Sequence, residues 1–438
     1  MHLTGSTVLE IFESVRLQVQ SGALQPGAAL PPVRDLALQL GVNRNTVASA
    51  YKRLTAAGIA LAQGRLGTTI SAPVAAGEQE GRHTGSPLVD MASGNPNPAW
   101  LPAVASLFPR LAPSPRLYGD ATVNTGLLAL ARPWFDPDCP AGYALNLTHG
   151  AVDAMERLAV AHLVPGDRVA VEDPCFLGTI NALRIAGMQA AGVAIDAQGM
   201  RPDALEAVLA AGAQAVLVTP RAHNPTGCSL TPGRAAALRA VLARFAHVLV
   251  IVDDHFALLA ESAYQSILPA NAGRWALVRS VSKALGPDLR LAFLASDEDT
   301  ARKLRLRLAP GMGWVSHLLQ DLVEACLRSP DVAAQTLRTR TAYAAQRAQL
   351  VQALRAHGIA APLPPDGFNV WVPLPIDARE VVHAMARRGW LLRSGDAFDV
   401  QARTQAMRIT VATLEDGQAA RLAADLGACL EAQRRGNA

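Results

Sequence analysis

Four short apolar runs in this chain break off abruptly into residues that carry chemistry, and this pattern constrains the fold more than any other feature. Trp275-Ala276-Leu277-Val278 leads to Ser280-Val281-Ser282-Lys283, and Val248 to Val252 leads to Asp253-Asp254. Ala215 to Val218 leads to Thr219-Pro220-Arg221-Ala222-His223-Asn224-Pro225-Thr226-Gly227, and Leu145-Asn146-Leu147 to Thr148-His149-Gly150-Ala151-Val152. Apolar runs without alternation read as strands buried on both faces, which predicts a mostly parallel sheet covered by helices. Ligands of such sheets bind beyond the carboxyl ends of the strands, where these polar segments fall.

A partly desolvated lysine at a strand end can form a Schiff base with an aldehyde. Lys283 alone would favour the reading of a surface lysine in a loop. An aspartate, an asparagine and a glycine turn at the ends of sister strands change that balance. Together they suit pyridoxal 5'-phosphate (PLP): a Schiff-base amine, a ring-nitrogen partner, a phenolate partner and a phosphate cradle.

The arrangement resembles the fold-type-I aminotransferases over about residues 90 to 430. Ser-Val-Ser-Lys with Arg290 seven residues on is similar to their lysine signature, and His223 to Gly227 to their Asn-Pro-x-Gly loop. Gly94-Asn95-Pro96 resembles their entry segment, and Tyr118-Gly119-Asp120 a segment whose tyrosine reaches the phosphate in the neighbouring subunit. The resemblance implies that Lys283 carries PLP, Asp253 pairs with the pyridine nitrogen, and Asn224 bonds the phenolate. It assigns the phosphate to Gly150, Ala151, Val152, Ser280, Ser282, Arg290 and a partner's Tyr118, which implies a homodimer. Tyr118 as a packed core residue is the alternative. Phe176 stands where the family stacks an aromatic on the ring, and Arg408 where it clamps a substrate or effector carboxylate. His255 replaces the family's tyrosine, which argues against efficient transamination but not against cofactor binding.

The first 70 residues have a different character. Thr7-Val8-Leu9-Glu10 reads as a capping box opening a helix. Pro31-Pro32 starts a second helix that Gly41 stops, and Asn43 caps a third, with Val47, Ala50, Tyr51 and Leu54 as its buried stripe. Residues 59–62 and 68–70 read as a hairpin. Through Ile70 six basic residues face three acidic ones. This head resembles the winged helix-turn-helix of the GntR family, through Leu30-Pro31-Pro32-Val33-Arg34 and Leu40-Gly41-Val42-Asn43-Arg44-Asn45-Thr46-Val47. A recognition helix offers its first residues to base edges, so Arg34, Asn43, Arg44, Asn45, Thr46, Lys52, Arg53 and Arg65 are the candidates for operator DNA. A solvated dimerisation head is the competing reading.

The expected domains are a winged helix at 1–70, a flexible linker at 71–89 and a body at 90–438, with a small C-terminal α+β subdomain from about residue 310. Half of the residues are apolar and 17% charged, enough for a large core. Five cysteines without paired or metal-ligand spacing predict free thiols, a reducing compartment and no metal site. Glu10, Glu13 and Arg16 interrupt the first apolar positions, which argues against a signal peptide, and no uncharged apolar stretch reaches the roughly 18 residues of a membrane span, so a soluble cytoplasmic protein is expected.

A GntR-type head joined to an aminotransferase-like body is the architecture of the MocR subfamily of bacterial regulators. The motifs around Asp253 and Lys283 are similar to members linked to vitamin B6 salvage. The expectation is a transcription regulator that senses PLP, or an amino compound held by Arg408. A working aminotransferase with an accessory head is the rival, and a body that only dimerises is a third reading.

Overall fold

The computed structural model describes residues 3–57, 59–62, 67–70, 79–82 and 85–436. It forms two compact units, Met1–Gly77 and Glu78–Ala438.

In the first unit, helices α1 (Val8–Gln20), α2 (Val33–Leu40) and α3 (Arg44–Ala56) precede strands β1 (Ala60–Ala62) and β2 (Thr68–Ile70). Thr7 caps α1, its Oγ1 accepting the Glu10 amide at 3.2 Å. The Glu10 carboxylate reaches back to the Ser6 amide (2.8 Å), one residue beyond a simple capping box. Gly41 ends α2 in the left-handed region (φ 66°), where a side chain would be strained. Asn43 caps α3 by accepting the Asn45 amide at 2.8 Å. Ile11, Val15, Leu36, Val47, Ala50 and Leu54 close a core of their own, so the head has its own hydrophobic interior. Strands β1 and β2 pair antiparallel, Leu61 opposite Thr69. The hairpin tip with Arg65 lies outside the described residues.

The second unit opens with β3 (Val89–Asp90). Its main sheet comprises β4 (Ala144–Thr148), β5 (Arg168–Asp173), β6 (Gln189–Asp196), β7 (Gly199–Met200), β8 (Ala215–Val218), β9 (Leu249–Asp253), β10 (Trp275–Ser280) and β11 (Ala292–Ser296), in the order β4-β11-β10-β9-β8-β5-β6-β7. Strands β10, β9, β8, β5 and β6 run parallel, and helices cover both faces, which is why the strands read as unbroken apolar runs. Strand β11 is antiparallel to both β10 and β4.

Beyond the helix His317–Arg328 lie β12 (Asn369–Pro373), β13 (Trp390–Leu391), β14 (Arg393–Ser394) and β15 (Ala406–Thr410). Strands β12, β15 and β14 form an antiparallel sheet, and β13 pairs with β3. The segment expected to be a free linker through residue 89 is attached at several of its described residues. The Gly81 amide donates to the Ser93 carbonyl (3.0 Å), the Arg393 guanidinium to the Gln79 carbonyl (3.1 Å), and Val89 pairs with Trp390. Residues 71–78 and 83–84 lie outside the described ones. No described helix is long and apolar enough to cross a membrane.

Candidate functional site

Strand register assembles the first part of the site. Ser280 at the end of β10 pairs with Ala292 at the start of β11, which pairs with Thr148 at the end of β4. Because β11 runs the other way, Arg290, just before it, arrives at the edge where Ser280 and Thr148 leave. Gly150 follows Thr148 at φ 96°, and a Cβ there would lie 2.8 Å from Arg290 Nη2. Only glycine admits the guanidinium so close. The helix Ala151–His162 begins at the same point, leaving the amides of Ala151 and Val152 without intrahelical acceptors. The Ser282 amide donates to Ser280 Oγ (3.2 Å), and the two hydroxyl oxygens are 3.3 Å apart. Two hydroxyls, a guanidinium and a helix N-terminus make a cradle for a phosphate dianion.

The paired acids at the end of β9 divide their work. Asp254, fully buried, accepts from Arg221 Nε (2.9 Å), Arg221 Nη2 (2.6 Å) and Arg279 Nε (2.9 Å). Arg279 in turn donates to Asp138 and lies over the Tyr264 and Phe135 rings. Successive strand residues point to opposite faces, so Asp253 faces away from this grip. Its Oδ1 is buried with no hydrogen-bond partner among the described residues, and Oδ2 is 3.9 Å from His255 Nδ1, too long for a bond. Burial, then the neighbouring Asp254, push the Asp253 carboxyl up to about 7. Burial, then Lys283, hold His255 down to about 4, so it is neutral at physiological pH. An N–H placed over Asp253 Oδ1 would satisfy an acceptor that otherwise costs free energy.

Lys283 sits on the single-turn helix Ser282–Leu285, with Nζ donating to the Gly94 carbonyl at 3.1 Å and 5.3 Å from the Phe368 ring centre. Burial, with Arg408 and Arg290, lowers its pKa against the opposing pull of Glu80 and Asp253. Such an amine sheds its proton more readily, as a nucleophile must. Asn224, buried, accepts from Arg408 Nη1 (2.9 Å) and donates to Glu80 Oε1 (3.2 Å). Arg408, in the middle of β15, is fully buried and holds the Glu80 carboxylate through both terminal nitrogens. Beneath the loop, Glu172 Oε1 accepts the Thr219 amide (3.0 Å) and Oε2 is 3.5 Å from His223 Nε2. Burial drives the pair apart, Glu172 up to about 8 and His223 down to about 3, which leaves both neutral.

Phe176 is half-buried at the start of the helix Leu177–Ile185, folded against Gly178. Tyr118 is 95% exposed, its ring meeting Trp314 edge-on (5.7 Å), so it is no packed core residue. Sequence reasoning missed Glu80, Arg393, Phe368 and the arginine grip on Asp254. These depend on contacts across tens to hundreds of residues that no local pattern announces.

On the head, Arg34, Asn43, Arg44, Asn45, Lys52 and Arg53 are exposed and Thr46 is half-buried. At 100° per residue, Asn45, Ser49 and Lys52 line one open face of α3, with Ser49 an addition to the expected set. Arg53 differs, its guanidinium lying 5.0 Å over the Phe12 ring of α1.

With this geometry in view, the comparisons are informative. Residues 88–426 match the family described as aminotransferase class I and II, and residues 7–70 the gntR family of bacterial regulatory proteins. The vitamin B6 salvage pathway transcriptional repressor PtsJ of Salmonella typhimurium is 51% identical over 97% of this chain and 98% of its own length. The HTH-type transcriptional regulator TauR of Rhodobacter capsulatus is 28% identical over 91% of each chain. A kynurenine aminotransferase of Pyrococcus horikoshii, solved in complex with PMP, superposes with a TM-score of 0.72 at 21% identity, covering 80% of this chain and 92% of that one. LysN, an α-aminoadipate aminotransferase of Thermus thermophilus, gives 0.69 at 23% identity, over 80% and 93%. The chain therefore belongs to the MocR-type GntR regulators, in which an aminotransferase class I and II body follows a winged-helix head.

Proposed function

We propose that this protein is an operator-binding regulator whose body holds PLP on Lys283 and reports the vitamin to the DNA-binding head. The observation that carries the reading is 51% identity over 97% of the chain with a vitamin B6 salvage repressor, supported by strand ends that bring Lys283, Asp253, Asn224 and a phosphate cradle into one body. The residues fit the cofactor on three counts: a phosphate cradle that only Gly150 leaves open, a buried Asp253 oxygen lacking a donor, and an amine of lowered pKa between them. When bound, PLP supplies an aldehyde and an electron-withdrawing ring. The chain's own part is to hold the phosphate with Ser280, Ser282, Arg290 and the Ala151–His162 helix, to present a neutral amine, and to keep a proton between Asp253 and the ring nitrogen. Asn224 can turn its amide to the phenolate. The exposed Tyr118, with Leu117 beside it 73% exposed, suits the family's exchange of a tyrosine between subunits, so we read the regulator as a homodimer.

Asp253 gives a pH signature. Burial and the neighbouring Asp254 push its carboxyl in the free protein up to about 7. A ring that arrives carrying its own N–H needs the carboxylate, so below that pH binding must release the Asp253 proton and affinity for PLP falls as the pH drops, by at most about tenfold per pH unit. Asp253→Asn has no such proton to lose. Titrations from about pH 7 down to about pH 5 are expected to show wild-type affinity falling relative to the variant, and parallel curves would remove Asp253 from that role.

The function is tested by operator titration, using duplexes selected by the purified protein. PLP alone is expected to shift operator affinity by about 5–150-fold, the usual scale of coupling between two sites, and DNA to shift PLP affinity by the same factor. Equal operator affinity with and without PLP, and a shift only on adding an amino acid, would make the amino compound the signal instead.

A further inference from the structure

Glu80 precedes the first strand of the body and belongs to no helix or strand. Its carboxylate nevertheless lies among the cations of the site. Both terminal nitrogens of Arg408 donate to it, Nη2 at 2.8 Å, and Asn224 Nδ2 adds a third donor at 3.2 Å. Its side chain is 18% exposed against none for Arg408. Gly94 makes room for it: a Cβ there would fall 2.3 Å from Glu80 Oε2. The carbonyl of the same glycine takes the Lys283 ammonium. Arg393, opposite Arg408 in the register of β14 and β15, ties the preceding Gln79 carbonyl, and the Gly81 amide is tied to Ser93 on the other side. Burial alone would raise the Glu80 carboxyl, but Arg408, Lys283 and Arg393 hold it below its ordinary value, so it is ionised.

With Nη1 and Nη2 already committed to Glu80, Asn224 and the Ala92 carbonyl, only Nε of the guanidinium is left without a partner among the described residues, too little to grip a second carboxylate with two prongs. We propose that Glu80 is a built-in ligand of the Arg408 clamp and sets the specificity of the site. In the resting protein, Lys283 and its cofactor are open to amines without a carboxylate. An α-amino acid engages Arg408 only by displacing Glu80 and, with it, the strap of residues 79–82. This deepens the proposed function and rests on its reading of Lys283 as the PLP lysine. It accounts for a sensor that keeps the clamp of an amino-acid enzyme yet answers to the vitamin in the presence of free amino acids.

The test compares wild type, Glu80→Gln and Glu80→Gln/Arg408→Ala. The first probe pair is L-alanine and ethylamine, identical but for the carboxylate, titrated into the PLP-loaded proteins while the cofactor's visible absorbance is followed. Glu80→Gln keeps the shape of the strap but lacks the charge. It is expected to bind alanine about 10- to 100-fold more tightly than wild type, the worth of one charge-assisted contact regained. Ethylamine is expected to change less than about twofold, within the spread of surface effects, and the double variant to lose the gain. The second probe is succinate, titrated by calorimetry into the cofactor-free proteins, where Glu80→Gln is again expected to bind more tightly. Alanine and succinate binding unchanged by Glu80→Gln, or ethylamine gaining as much as alanine, overturns the proposal. A PLP absorption band left where free PLP has it on mixing with the protein would instead overturn the PLP reading, and the succinate measurement then decides the role of Glu80 by itself.

Discussion

Lys283→Ala is expected to abolish covalent attachment of PLP altogether. The chain contains three lysines, Lys52, Lys283 and Lys303. Lys52 lies exposed on α3, and Lys303 is ion-paired with Asp299 at 2.9 Å on a solvated helix. Lys283 alone combines burial, neighbouring guanidiniums and a phosphate cradle within reach of the same strand ends. Borohydride reduction of the loaded protein followed by peptide mapping should place the whole adduct on the peptide containing Lys283 and none of it in the variant. An adduct on Lys52 or Lys303 would show that the cradle is not a PLP site. Weaker, non-covalent PLP binding should survive in Lys283→Ala, because the cradle and Asp253 are untouched.

The second large effect belongs to the head. Arg34→Ala with Arg44→Ala is expected to cost operator binding about 1–3 kcal/mol for each arginine that reads a base edge, so the double variant should lose between one and several decades of affinity. Arg44 is the first residue of α3 and Arg34 the second of α2, both exposed, with Asn43 spent on capping rather than reading. Lys52→Ala should lower the slope of log affinity against log salt by about 0.9, as a lost phosphate contact does. Arg53→Ala should act differently, because that guanidinium covers Phe12. Its effect is expected in the thermal stability of the head more than in the salt slope. Operator binding unchanged in the double variant would mean that α2 and α3 do not meet the DNA.

How much of this was legible depends on the range of the interaction that builds each part. The caps at Thr7, Gly41 and Asn43 are read within four residues, and the structure places them where the letters suggest. The strands ending at Ser280 and Asp253 are likewise local, since burial on both faces leaves an unbroken apolar run. The choice of Asp253 over Asp254 came from the resemblance and from no local pattern. In the structure it is made by Arg221 and Arg279, brought to Asp254 by strands distant in sequence. The reversal of β11, which delivers Arg290 to the phosphate edge, is likewise a pairing with no local signature. Glu80 was hidden most completely. The letters around it are those of a linker, and its partner lies 328 residues away.

That attachment also sets a ruler. From Ile70, the last residue of the hairpin, to Gln79 there are nine peptide steps, and a chain of that length extends to about 30 Å at most. Were residues 79–82 let go, the next fixed point would be β3 at Val89, ten steps further, lengthening the maximum span by about 35 Å. One turn of duplex DNA is about 34–36 Å. Release of the Glu80 carboxylate together with the Gln79 and Gly81 bonds would therefore lengthen the longest tether open to the winged helix by about one turn of duplex DNA.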